Sequence, residues 1–126
     1  MIASNIYFQL FHVEKATSEF IPAAQEDLAL NLEITDIIKS KRVSPKDSLR
    51  ILLNRLTHEN PNVQLLTLQL FDKCVRNAGK AFLIEMAGRE FVDVTLSLMD
   101  DEDEYGQVNS LRHVRLIVVF YFYIGM

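Results

Sequence analysis

The chain has 126 residues, 49% of them apolar, with 13 basic and 17 acidic side chains giving a formal net charge of −4. That length fits one domain with a real core, and the charge balance excludes a nucleic-acid binder of the usual strongly basic kind. A single cysteine, Cys74, excludes an internal disulfide and suits a reducing, cytoplasmic setting. The opening residues lack the basic segment of a secretory signal. The longest apolar run, Leu116 to Met126, has 11 residues against the ~20 of a membrane-spanning helix.

Tyr7 to Thr17 is predicted as a first helix, with Phe20-Ile21-Pro22 as the connector that follows. In the next stretch, Glu26 to Lys41, Leu30, Ile34, Ile37 and Ile38 gather within one arc at ~100° per residue. Leu28 and Leu32 fall on the far side, beside Asn31 and Thr35, where a one-sided helix should be polar. Ser44-Pro45-Lys46-Asp47 supplies an N-cap, a proline at the first helical position and an acid three residues after the cap. The helix it opens runs to about His58 and buries Leu49, Leu52, Leu53 and Leu56. Asn60-Pro61 repeats the signal and opens a helix to about Arg76 that is apolar around much of its circumference. Such a helix is expected to lie between neighbours. Asn77-Ala78-Gly79 is a C-terminal stop, with Gly79 suited to a left-handed conformation. Two short helices follow, about Lys80 to Ala87 and about Arg89 to Met99, divided at Gly88. No segment alternates with period two, so the fold class is all-α, a solenoid-like stack with six helices by residue 99.

The tail has a different character. Asp100 to Glu104 is five consecutive acids at a helix C-terminus, where the macrodipole disfavours them. After Gly106 the chain lacks acidic residues altogether and ends in a β-branched and aromatic run. Three segments are expected: 1–7 as an ill-fitting N-terminus, 8–106 as the helical domain, and 107–126 as a divergent apolar tail.

Catalytic chemistry finds no support. Cys74 sits on the most apolar helix, where a small buried hydrophobe is its ordinary role. His58 lies at a helix end, where an imidazole suits the carbonyl dipoles. His12 and His113 have no partner at metal-ligand spacing, and no Gly-rich phosphate loop or nucleophile elbow is present. The acidic run lacks the alternation and glycine of a calcium loop. Neither a cofactor nor a metal is expected, and the chain is not expected to be an enzyme. Two features remain. Lys39, Lys41, Arg42 and Lys46 cluster where one helix ends and the next begins. They complement helix ends or touch anionic lipid headgroups. Leu28 and Leu32 are either covered by another helix or form an exposed docking patch.

Several short motifs, in order, carry a resemblance over roughly residues 8–99. They are Glu14-Lys-Ala-Thr-Ser-Glu19, Asp27-Leu-Ala-Leu-Asn-Leu-Glu-Ile-Thr-Asp36, Pro45-Lys-Asp-Ser-Leu-Arg50, Asn60-Pro-Asn-Val-Gln64, Cys74-Val-Arg-Asn-Ala-Gly-Lys80 and Arg89-Glu-Phe91. The set resembles the VHS domain of endosomal sorting proteins, and within it the Hrs-type subunit of the ESCRT-zero complex in its fungal, class E vacuolar protein sorting form. The resemblance implies a right-handed superhelix of short helices, VHS/ENTH-like, with the family's last helices missing or replaced here after about residue 106.

It also implies a function: binding of ubiquitin on membrane cargo, at the cytoplasmic face of endosomes, for delivery to the multivesicular body. The implied partners are ubiquitin or ubiquitinated cargo, the second subunit of the ESCRT-zero complex, and the endosomal membrane as a peripheral contact. The family's ubiquitin contact uses a large apolar residue near the start of the second helix and a leucine one turn later, positions matched by Leu28 and Leu32. Several relatives carry tryptophan at the first of these. Asn31 and Thr35 are expected to border the patch, and Gln64 and Thr67 to extend it onto the fourth helix. The second reading is a membrane-positioning scaffold in which Lys39, Lys41, Arg42 and Lys46 touch phosphoinositide.

Overall fold

The computed structural model describes residues 2–22 and 25–100, and within these the chain forms six α-helices and no strand. The helices are α1 (Ile2–Ala16), α2 (Leu28–Lys39), α3 (Pro45–Leu56), α4 (Pro61–Asn77), α5 (Lys80–Met86) and α6 (Arg89–Asp100). The tail beyond residue 100, with His113 and most of the acidic run, lies outside the described residues.

Local chemistry sets the helix ends. The Asp27 carboxylate caps α2 by accepting from the Leu30 amide at 3.1 Å, and the Ser44 hydroxyl caps α3 by accepting from Asp47 at 3.1 Å. Asn60 caps α4 by accepting from Asn62 at 2.8 Å. Pro45 and Pro61 occupy the first turns of α3 and α4, where a missing N–H leaves nothing unpaired. Gly79, at φ +92°, turns the chain from α4 into α5. Only the first helix departs in extent from its predicted bounds. It begins at Ile2 instead of near Tyr7, because neither glycine nor proline interrupts residues 2–16 and the helix propagates back through them.

The helices stack so that α4 lies between α2 and α3, α1 packs on α2 and α3, and α6 extends the row from α5. This position explains why α4 is apolar on so many sides: Val63, Leu66, Leu68, Leu70, Phe71 and Cys74 are all fully buried. Phe71 meets Phe91 of α6 in a tilted ring pair with centroids 5.1 Å apart. The core of α3 is Leu49, Leu52, Leu53 and Leu56, as the sequence periodicity predicts, and that of α2 is Leu30, Ile34 and Ile38, whereas Ile37, expected in the same stripe, is only half-buried at its edge.

Candidate functional site

Residues on α2 divide by direction. Leu28 is 49% exposed and Leu32 39% exposed, one turn apart on the solvent side, whereas Leu30, Ile34 and Ile38 are buried. A leucine in water forgoes about 1.5–3 kcal/mol of burial, so two adjacent ones on an otherwise well-packed helix form an apolar step available to a partner.

The polar residues beside them behave otherwise than expected. Asn31 and Thr35 are each only 1% exposed. The Asn31 amide donates from Nδ2 to Glu26 Oε2 at 3.1 Å, and the Thr35 hydroxyl donates to the Leu32 carbonyl at 2.7 Å. They therefore do not border the leucine patch. They lie inside the fold, which widens the buried arc of α2 beyond its aliphatic stripe. Thr67 departs from expectation in the same way, since it is wholly buried and its hydroxyl donates to the Val63 carbonyl at 2.6 Å. Gln64 is half-buried, and its Nε2 donates to the His58 carbonyl at 2.7 Å, so it closes the α3–α4 turn.

The face that α4 turns outward consists of Leu65, Gln69, Asp72, Lys73 and Arg76, all partly or fully exposed. Their spacing of four, seven, eight and eleven residues from Leu65 is one helical stripe. Lys73 reaches across to α2, with Nζ 2.9 Å from Glu26 Oε1, and Glu26 immediately precedes the cap of that helix. This ion pair sets the α4 stripe beside the helix start that carries Leu28. Gln69 is half-buried, and its side-chain oxygen lies inside the protein with no hydrogen-bond partner, so only the rest of the side chain faces outward. Gln69 and Lys73 are not among the residues expected from the sequence, although the polar stripe is visible in the spacing.

The basic cluster splits into separate surroundings. Lys39 and Lys41 line a cleft with Ala78, Gly79 and Lys80. Arg42 lines a different one, with Glu33, Asp36 and Phe8. Lys46 is exposed on the first turn of α3.

A family model described as "VHS domain" matches residues 9–123. The chain belongs to the VHS domain family. The match starts within α1 and runs past the described helices, farther than the short motifs reach. This VHS domain is 53% identical over 98 residues to the vacuolar protein sorting-associated protein 27 of Yarrowia lipolytica, covering 78% of the chain. It is 52% identical over 87 residues to the protein of that name from Mycosarcoma maydis, covering 69% of the chain. With the Saccharomyces cerevisiae protein of that name it shares 42% identity over 101 residues, or 79% of the chain. The matched segment is only 17%, 10% and 16% of those three proteins.

Titratable groups in the VHS domain serve its architecture. Cys74 is fully buried, and burial alone pushes its thiol far above the ordinary cysteine range, away from the thiolate a nucleophile needs. His58 accepts from the Asn60 amide at 3.0 Å through Nδ1 and so braces the α3–α4 turn. His12 contacts the Phe8 carbonyl through Nδ1 at 2.8 Å, and its Nε2 stands 3.8 Å from Glu33 on α2. No group of three or more metal-binding side chains occurs among the described residues, and no described helix is long and apolar enough to cross a membrane.

Proposed function

We propose that this VHS domain is a ubiquitin-binding docking module of endosomal cargo sorting, acting without catalysis and delivering tagged cargo toward the multivesicular body. The observation that carries the reading is the pair Leu28 and Leu32, left exposed one turn apart on a helix whose Leu30, Ile34 and Ile38 are buried. The relatives' name, vacuolar protein sorting-associated protein, agrees with a sorting role. In this reading Leu28 and Leu32 supply apolar burial. Gln69 and Lys73, on the neighbouring stripe of α4, supply the polar contacts that orient the partner, in place of Asn31, Thr35 and Thr67. Gln64 lies at the margin.

The patch is small, so the interface falls below the ~1,200 Å² of standard complexes and single ubiquitin binds weakly. Cargo carrying several ubiquitins is held more tightly through avidity. The domain acts in the cytoplasm, peripherally at the endosomal membrane, within a longer ESCRT-zero subunit and beside its partner subunit. The test is a heteronuclear NMR titration of ubiquitin into the labelled domain. Shifts should cluster on the start of α2 and the outer stripe of α4, and the folded variant Leu28→Asp/Leu32→Asp should lose them. A folded double variant that binds unchanged would show that the leucines are not the site.

A further inference from the structure

The outer face of α1 is aromatic: Tyr7, Phe8 and Phe11 are 70%, 51% and 63% exposed. Their spacing places all three on one side of the helix. His12 braces two of them, its ring centroid 4.2 Å from that of Phe8 and 5.7 Å from that of Phe11. Three such rings leave roughly 300–450 Å² of aromatic surface in water, the size at which a patch on a monomer marks an interaction site.

Beside this ridge lies a cleft of about 240 Å³, formed by α1, α2 and the turn that follows α2. Phe8, Ile37 and Val43 give it an apolar lining. Glu33 and Asp36 enter it from the body of α2. Arg42 enters from beyond the end of that helix, where Lys41 turns the chain with a left-handed φ of +60°. Arg42 forms no ion pair with either carboxylate, so acid and base stand apart along the cleft. A cavity of ~150 Å³ holds a benzene ring, and this one therefore has room for a phenylalanine side chain.

We propose that this face joins two copies of the chain about a two-fold axis, with Phe11 of each copy seated in the cleft of the other, beside Phe8. A two-fold interface must be self-complementary, each patch carrying both halves of every contact. Here the knob, Phe11, and the hole beside Phe8 lie one helical turn apart on the same chain. Antiparallel α1 helices bring both contacts together at once. The same rotation reverses α2, so that Glu33 and Asp36 of each copy face Arg42 of the other. A partner of one charge sign would meet repulsion at one end of the cleft, whereas a second copy meets none. The rings and their charged rim stay below the ~1,200 Å² of standard complexes, so the dimer is weak. Leu28 and Leu32 lie about 100–140° round α2 from Glu33, and pairing leaves them open in both copies.

Sedimentation velocity of the full chain, from micromolar to millimolar concentration, tests this. Wild type should pass from monomer to dimer, and the NMR amide signals of Phe8 and Phe11 should shift with concentration. Phe11→Ala should weaken the dimer about a hundredfold, because the axis counts a tenfold loss twice. Glu33→Arg/Asp36→Arg and Arg42→Glu should each be monomeric, since each sets like charges opposite one another at both symmetric places. Mixed in equal amounts, these two variants should form a heterodimer in which every facing pair is again of opposite sign. Indiscriminate clustering of apolar surface gives no such recovery. A wild type that stays monomeric, an unweakened Phe11→Ala dimer, or no recovery on mixing would each overturn the proposal. A monomer whose Phe8 and Phe11 amides are shielded from a soluble paramagnetic probe would assign the face to another part of the same chain and refute the second copy. Shifts of those amides when ubiquitin is added to a monomer would assign it to that ligand, with the same consequence.

Discussion

Arg55, in the last turn of α3, holds Thr17 at the end of α1 by two donors of its guanidinium. Nε donates to the Thr17 hydroxyl at 2.9 Å and Nη2 to the Thr17 carbonyl at 3.1 Å. The hydroxyl in turn donates to the Val13 carbonyl at 2.8 Å. Thr17 is thus fully buried yet satisfied, and the junction between the first and third helices is fixed by a charge-assisted fork instead of by apolar contact alone. Thr17→Val keeps the shape and removes the acceptor, which should destabilise the domain by about 1–3 kcal/mol. A double-mutant cycle with Arg55→Met, followed by urea unfolding, should return a coupling of at least ~0.5 kcal/mol. Additive losses would mean that the fork contributes nothing beyond its parts.

The size of the residue at position 28 should govern affinity in the proposed docking site. Leu28→Ala removes part of a half-exposed apolar group and should weaken ubiquitin binding about threefold to tenfold, from roughly 1 kcal/mol of lost burial. Leu28→Trp offers more apolar area and should tighten binding by a similar factor. Calorimetry or NMR titration reads both changes. Unchanged affinity in both variants would remove Leu28 from the interface.

Residues beneath the patch should matter less than those beside it. Thr35→Val leaves ubiquitin affinity within about twofold, because the Thr35 hydroxyl is spent on the Leu32 carbonyl and does not reach solvent. Gln69→Ala, on the outer face of α4, should lower affinity by more than that, in line with the ~1 kcal/mol of an average hydrogen bond. The opposite ranking would restore Thr35 to the patch and remove the α4 stripe from it.

Cys74 provides a clock for unfolding. With the side chain wholly buried and ionisation suppressed by that burial, thiol reagents should modify it only when the core opens. Labelling followed by mass spectrometry should show a rate that rises with denaturant in step with global unfolding. Rapid stoichiometric labelling of the native protein would contradict the packing of α4 between its neighbours.

Much of this fold was legible in the sequence because helix ends are decided locally. Ser44-Pro45, Asn60-Pro61 and Gly79 act through capping and φ within a few residues, and each helix from α2 onward begins and ends within two residues of its predicted bounds. That Leu28 and Leu32 leave the aliphatic stripe was equally legible, but the wheel left open whether another helix covers them, and their exposure is settled by the packing of the neighbouring helices. The wheel does not show how far the buried arc extends, because the number and position of neighbouring helices set that width. Asn31, Thr35 and Thr67 passed for surface residues on chemistry alone. Thr35 and Thr67 satisfy their hydroxyls within their own helices, and Asn31 its Nδ2 at the entry of α2 while its Oδ1 stays buried without a partner, so all three sit inside the fold. The three-lysine cleft depends on residues 39, 41 and 80 meeting across the stack, a distance in sequence that no local pattern spans.

The left-handed backbone at Lys41 has an implication for how this domain can change. A non-glycine residue there is held in a conformation disfavoured by about 1–2 kcal/mol, so Lys41→Gly should raise the melting temperature. A screen for thermal robustness alone would select glycine at 41.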